Sequence, residues 1–79
     1  MERYIFSNRA RAEAVLGFLK ELIGTYGCVL RYDLLDQYGL IPKPIDKDFG
    51  WTNLDNALIE SGVIGDEIVL VLPKAVPLK

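Results

Sequence analysis

Five consecutive apolar residues, Ile68-Val69-Leu70-Val71-Leu72, leave this chain few ways to fold. Their β-branched side chains favour a strand. In an antiparallel sheet with one wet face, a strand alternates apolar and polar residues. This one does not. Either it runs through the centre of a sheet and is covered on both sides, or one of its faces meets a partner. With 79 residues, the chain has enough material for one core and little surplus stability.

The preceding segment supplies the other half of a hairpin. Ala57 to Ser61 reads as its first strand, and residues 62–67 join the two with a Gly65-Asp66 turn signal. Pro73 and Pro77 end the ladder and leave an extended tail, Lys74 to Lys79. Arg3-Tyr4-Ile5-Phe6 reads as an edge strand that could join the hairpin.

Between these strands the period changes. Ala12, Val15, Leu16, Leu19, Leu22, Ile23 and Tyr26 recur at steps of three, one, three, three, one and three, one continuous helical stripe. The spacing predicts a helix from Arg9 to Tyr26, capped by Ser7 or Asn8 and stopped by Gly27 in the left-handed conformation. Gly17 adjoins the stripe, which suggests close approach of another element. After Cys28-Val29-Leu30, a second helix is expected from Arg31 to Tyr38, stopped by Gly39. Pro42 and Pro44 then forbid helix and favour a stiff extended connection. The expected fold is α+β: two N-terminal helices packed on a small antiparallel sheet formed by the C-terminal hairpin, a winged-helix-like order in one domain over 1–79.

The only tryptophan lies in Phe49-Gly50-Trp51-Thr52-Asn53-Leu54. Between a glycine and a threonine able to cap a short turn, Trp51 reads as a turn anchor, and its indole N–H demands a partner if buried. The alternative is an exposed Phe49–Trp51 pair serving as a protein contact or a stacking platform for bases.

Composition excludes several chemistries. There is no histidine and a single cysteine, so the commonest general base is missing and a structural zinc site is ruled out. Cys28 cannot form an internal disulfide, which makes a reducing compartment the default. It has no histidine to activate it as a nucleophile, and reads as a small buried apolar residue. A net charge of −2 argues against a protein built to neutralise phosphates. No run approaches the ~20 apolar residues of a membrane span, and Met1-Glu2-Arg3-Tyr4 opens no signal-peptide core, so a cytosolic location is expected. Asp48-Phe49-Gly50 spells the kinase metal-binding triplet without any other kinase signature. Asp33, Asp36, Asp46 and Asp48 read as a solvated helix face and a polar loop, in place of a cation site.

Tyr26-Gly27-Cys28-Val29 followed by Asp33 and Asp36, the Phe49-to-Leu54 block, and a hairpin ending Leu72-Pro73-Lys74 together resemble a family of small uncharacterised proteins from phages and prophages of Gram-positive bacteria. The likeness covers about Ala12 to Leu78. Asn53 stands where that family usually has aspartate, Gly65-Asp66 reverses its turn order, and Val71 replaces a common lysine. The resemblance implies a phage or prophage origin, in a bacterial cytoplasm or a virion, and no activity.

The expected function is a non-enzymatic protein-binding module, without cofactor or metal, that docks on a host or phage protein or on a second copy of itself. Its candidate contact residues are Phe49, Trp51, Ile68, Val69, Val71, Val76 and Leu78. The alternative is a winged-helix-like DNA-binding regulator using Arg31, Gln37, Lys43 and Lys47, against which the neighbouring Asp33 and Asp36 would repel phosphate. A third reading, an inhibitor of a bacterial defence nuclease with an acidic helix face imitating nucleic acid, is weakened by the small net charge.

Overall fold

A computed structural model describes residues 1–62 and 64–78. Along the chain run strand β1 (Glu2–Phe6), helix α1 (Arg9–Tyr26), strand β2 (Val29–Leu30), helix α2 (Arg31–Tyr38), one 3-10 turn (Pro44–Lys47), and strands β3 (Phe49–Trp51), β4 (Leu58–Ser61), β5 (Ile68–Leu72) and β6 (Val76–Pro77). The class is α+β, with two antiparallel three-stranded sheets in the orders β1-β5-β4 and β2-β3-β6. That order is compatible with a winged-helix-like arrangement, with the 3-10 turn where a third helix would stand.

Both helices keep the limits that the apolar stripe and the glycine stops imply. Asn8 is the N-cap of α1, and its Oδ1 accepts the Arg11 N–H at 2.7 Å. Gly27 and Gly39 take φ of 81° and 98°, conformations that side chains with a Cβ resist, and their N–H groups close onto the preceding turns. Gly17, in contrast, has open space where a Cβ would stand, so no element approaches it closely.

β5 is the centre of its sheet. It pairs with β1 in the register Glu2↔Leu72 to Phe6↔Ile68, and with β4 in the register Leu58↔Val71 to Ser61↔Ile68. The β4 strand thus starts one residue later than Ala57. Alternation then sorts the side chains. Tyr4, Phe6, Leu70 and Leu72 join the core with Ala12, Val15 and Leu19 of α1, and Ile59 and Ile68 pack against it. Arg3, Ile5, Leu58, Glu60, Val69 and Val71 share the opposite face, which no helix covers.

The Phe49-to-Leu54 block corrects the expectation of a turn. Phe49-Gly50-Trp51 is the middle strand of the second sheet, pairing Trp51 with Val29 and Gly50 with both Leu30 and Val76. The turn comes later, and Asn53 makes it in place of Thr52: its Oδ1 accepts the Asp55 N–H at 2.7 Å, and the Ala57 N–H closes on the Leu54 carbonyl at 3.0 Å. Trp51 is 2% exposed and donates its indole N–H to the Pro73 carbonyl at 2.7 Å. It locks the exit of β5 to the second sheet.

α2 bridges the two sheets. It packs on β3, and its Tyr38 ring meets Tyr4 and Phe6 edge-on at 5.3 and 5.2 Å. The Tyr38 hydroxyl donates to the Ile5 carbonyl at 2.8 Å and accepts the Ile5 N–H at 3.2 Å. One phenol thereby satisfies both outward backbone groups of Ile5 and blunts the edge of β1, where an unpaired strand would invite another chain. Among the described residues, no helix is long and apolar enough to cross a membrane.

Candidate docking surfaces

A polar junction ties the start of the chain to its later elements. Glu2 accepts the Tyr4 O–H at 2.6 Å and the Ala75 N–H at 3.1 Å, and its Oε1 lies 3.5 Å from Arg31 Nε. Arg31 Nε is also 3.8 Å from Asp46 Oδ1, and makes no hydrogen bond at either distance. Burial, reinforced by the bond to the Glu2 carboxylate, pushes the Tyr4 phenol well above its ordinary value of 10.0. An acid whose folded pKa is raised keeps its proton longer folded than unfolded, so stability falls as pH rises above 10.0. Urea midpoints should therefore drop from pH 10 upward, and Tyr4→Phe should flatten that slope; a parallel slope in the variant would show that Tyr4 does not cause it.

The carboxylates of the loop and helix have local work. Asp33 Oδ2 accepts the Leu30 N–H at 3.1 Å, capping α2, and Asp46 Oδ2 accepts the Lys43 N–H at 2.8 Å, capping the 3-10 turn. Among the described residues, no group of three or more acidic or cysteine side chains is placed to hold a metal ion. Cys28 is half-buried, lining a shallow apolar hollow of about 280 Å³ with Leu22, Tyr26, Leu30 and Asp33.

The contact residues expected from the sequence are scattered. Trp51 is core, as its reading as an anchor expects, which overturns the alternative of a surface platform or partner contact, and Phe49 is half-buried against that core. Ile68 faces inward. Val69 and Val71 point away from the core and are nonetheless buried, so they are the floor of the outer sheet face, not its surface. Val76 is exposed and Leu78 half-buried, on and beside β6, which belongs to the other sheet. Of the residues suggested for nucleic acid, Arg31 is ion-paired in the polar junction. The Gln37 carbonyl holds the Arg11 guanidinium at 2.8 Å, Lys43 is exposed, and Lys47 Nζ sits 4.9 Å over the Tyr32 ring. They form no continuous basic stripe, since Asp46 lies among them.

Two apolar surfaces emerge, of which the sequence reading pointed only to the β5 strand of the first. One is the outer face of β1-β5-β4, where Ile5 and Leu58 are 52% and 55% exposed on either side of the buried valines. The other is the loop after α2, where Ile41 is 94% exposed and Leu40 and Ile45 are exposed beside it. Both prolines had marked that loop as stiff. Its three projecting aliphatics could have been flagged as too apolar for a connection that does not enter the core.

The loop is held at several points. The Leu40 N–H reaches the Leu35 carbonyl at 2.9 Å, the Asp46 N–H the Lys43 carbonyl at 2.9 Å, and the Asp48 N–H the Ile45 carbonyl at 2.9 Å. Compared with family models, with curated proteins and with solved structures, the chain matches none.

Proposed function

We propose that this chain is a non-enzymatic protein-binding module that inserts the loop Leu40 to Ile45 into an apolar groove of a host or phage protein. The supporting observation is the projection of Ile41, almost fully exposed, from a loop whose ends are fixed by prolines and backbone hydrogen bonds. A flexible loop would lose freedom on docking; this one has lost it already, so more of its apolar contact energy is available for binding. A binding interface needs a central anchor seated in a pocket, which can be aliphatic as well as aromatic. The phage or prophage setting rests on the resemblance alone.

The test is capture from a Gram-positive bacterial lysate with the wild-type chain and with Ile41→Asp as baits. Because Ile41 contacts so little of its own chain, the variant should keep the wild-type unfolding free energy, read from urea titration, within about 0.5 kcal/mol. A partner recovered by the wild type and lost with Ile41→Asp is the expected result. Identical protein sets on both baits, an empty set included, would overturn the reading.

A further inference from the structure

The outer face of β1-β5-β4 carries a symmetry that its register makes visible. Arg3, Val71 and Leu58 lie in one row across the three strands, and Ile5, Val69 and Glu60 in the next row of the same face. The four outer positions form a rectangle about 10 Å across the strands and about 7 Å along them. Arg3 and Glu60 occupy one diagonal, Ile5 and Leu58 the other. Arg3 Nη2 donates to Glu60 Oε1 at 2.8 Å, so the ion pair arches over β5 and roofs Val69 and Val71.

We propose that this face binds a second copy of the chain, about a two-fold axis running along the Ile5–Leu58 diagonal. Rotation about that line carries each charged corner to within about 4 Å of the opposite one, inside the reach of arginine and glutamate side chains. Each Arg3 then stands opposite the partner's Glu60, Ile5 opposes the partner's Ile5, and Leu58 opposes the partner's Leu58. The strands of the two sheets cross at a steep angle, one of the two ordinary ways for sheets to pack face to face. Axes parallel or perpendicular to the strands do not work: they set Arg3 against the partner's Leu58 or the partner's Ile5, leaving charge on apolar surface.

The exchange conserves ion pairs. Two internal Arg3–Glu60 pairs become two intermolecular ones, moved from the middle of the face to opposite rims. Their departure uncovers Val69 and Val71 where the apolar centres meet. The favourable balance comes from apolar area, with charge setting the orientation. The two ways of accommodating an all-apolar central strand thus hold at once: one face of β5 meets the core and the other meets a copy. This inference does not depend on the loop Leu40 to Ile45 and survives if that reading fails.

The experiment is sedimentation equilibrium of the purified chain up to about 1 mM, the range where a face this small should associate. Wild type should be a reversible dimer. R3E presents two carboxylates on the face and E60R two guanidiniums, so each alone should dimerise at least tenfold more weakly. An equimolar mixture of R3E and E60R should associate as a heterodimer, since every charged corner then meets its opposite in trans. No repair within either chain can produce that result. A wild type that stays monomeric at the highest concentration overturns the proposal. So does a dimer indifferent to the single reversals, or a mixture no more associated than its parts.

Discussion

Replacing Gly50 by alanine should cost this protein about 4 kcal/mol or more, a large share of the stability a small domain has. A Cβ at Gly50 would overlap the carbonyl oxygen of Val29 and crowd Leu30 Cα at 3.0 Å and Leu78 Cδ1 at 2.8 Å. Two of these are backbone atoms of β2, paired with β3 in that same register. They can retreat only by giving up the ladder. Glycine inside a strand often marks such an approach of two backbones. Gly17→Ala is the internal contrast: there the space is open and the site is helical, so the same added methyl should stabilise by up to ~1 kcal/mol. Urea unfolding followed by far-ultraviolet circular dichroism separates the two; equal midpoints for Gly50→Ala and wild type would refute the close approach.

Removal of the Trp51 side chain should be comparably severe, about 3–5 kcal/mol for Trp51→Ala. The indole fills the core between the second sheet and the exit of β5, and its N–H satisfies the Pro73 carbonyl. Trp51→Phe tests the hydrogen bond apart from most of the volume. It should lose about 1–3 kcal/mol, because a part-buried carbonyl is left without its donor. If Phe costs nothing, the bond to Pro73 contributes nothing, and packing alone accounts for the residue. Circular dichroism is again the readout, since both variants remove the chain's only tryptophan fluorophore.

These two residues also mark where the sequence stopped being readable. The helices were legible because their signals are local: seven apolar positions at helical steps, an asparagine cap, and glycines where left-handed residues end each helix. The unbroken apolar run of β5 also carried its meaning, since such a strand has to sit in the middle. Sheet β2-β3-β6 was not legible. Its strands are two or three residues long, too short for alternation to register, and Gly50 is joined to Leu30 and Val76 from distant parts of the chain. Trp51 could be read as either core or contact because hydrophobicity is the same in both.

The candidate surfaces failed to show for a related reason. Val69 and Val71 stand out in the sequence as surplus apolar residues, but the face above them is written one residue at a time in three separated strands. Only the register brings Arg3, Ile5, Leu58 and Glu60 together. Asp33 and Asp46 showed the reverse case: residues that look like chemistry in a sequence are, in the fold, the oxygens that begin a helix and a 3-10 turn.

The place of β5 also sets a schedule. Both its neighbours pair with it, and β1, made first, must wait for a strand near the far end of the chain. Helices α1 and α2 can form from local contacts in microseconds, while the pairing of β1 with β5 closes a loop that contains both helices and strands β2 to β4. On a ribosome adding about 5–20 residues per second, the apolar stripe of α1 is therefore complete for seconds before the sheet that covers it can exist. In that interval the nascent chain is a sticky helix pair without its lid, and its fate depends on what it meets before Leu72 arrives.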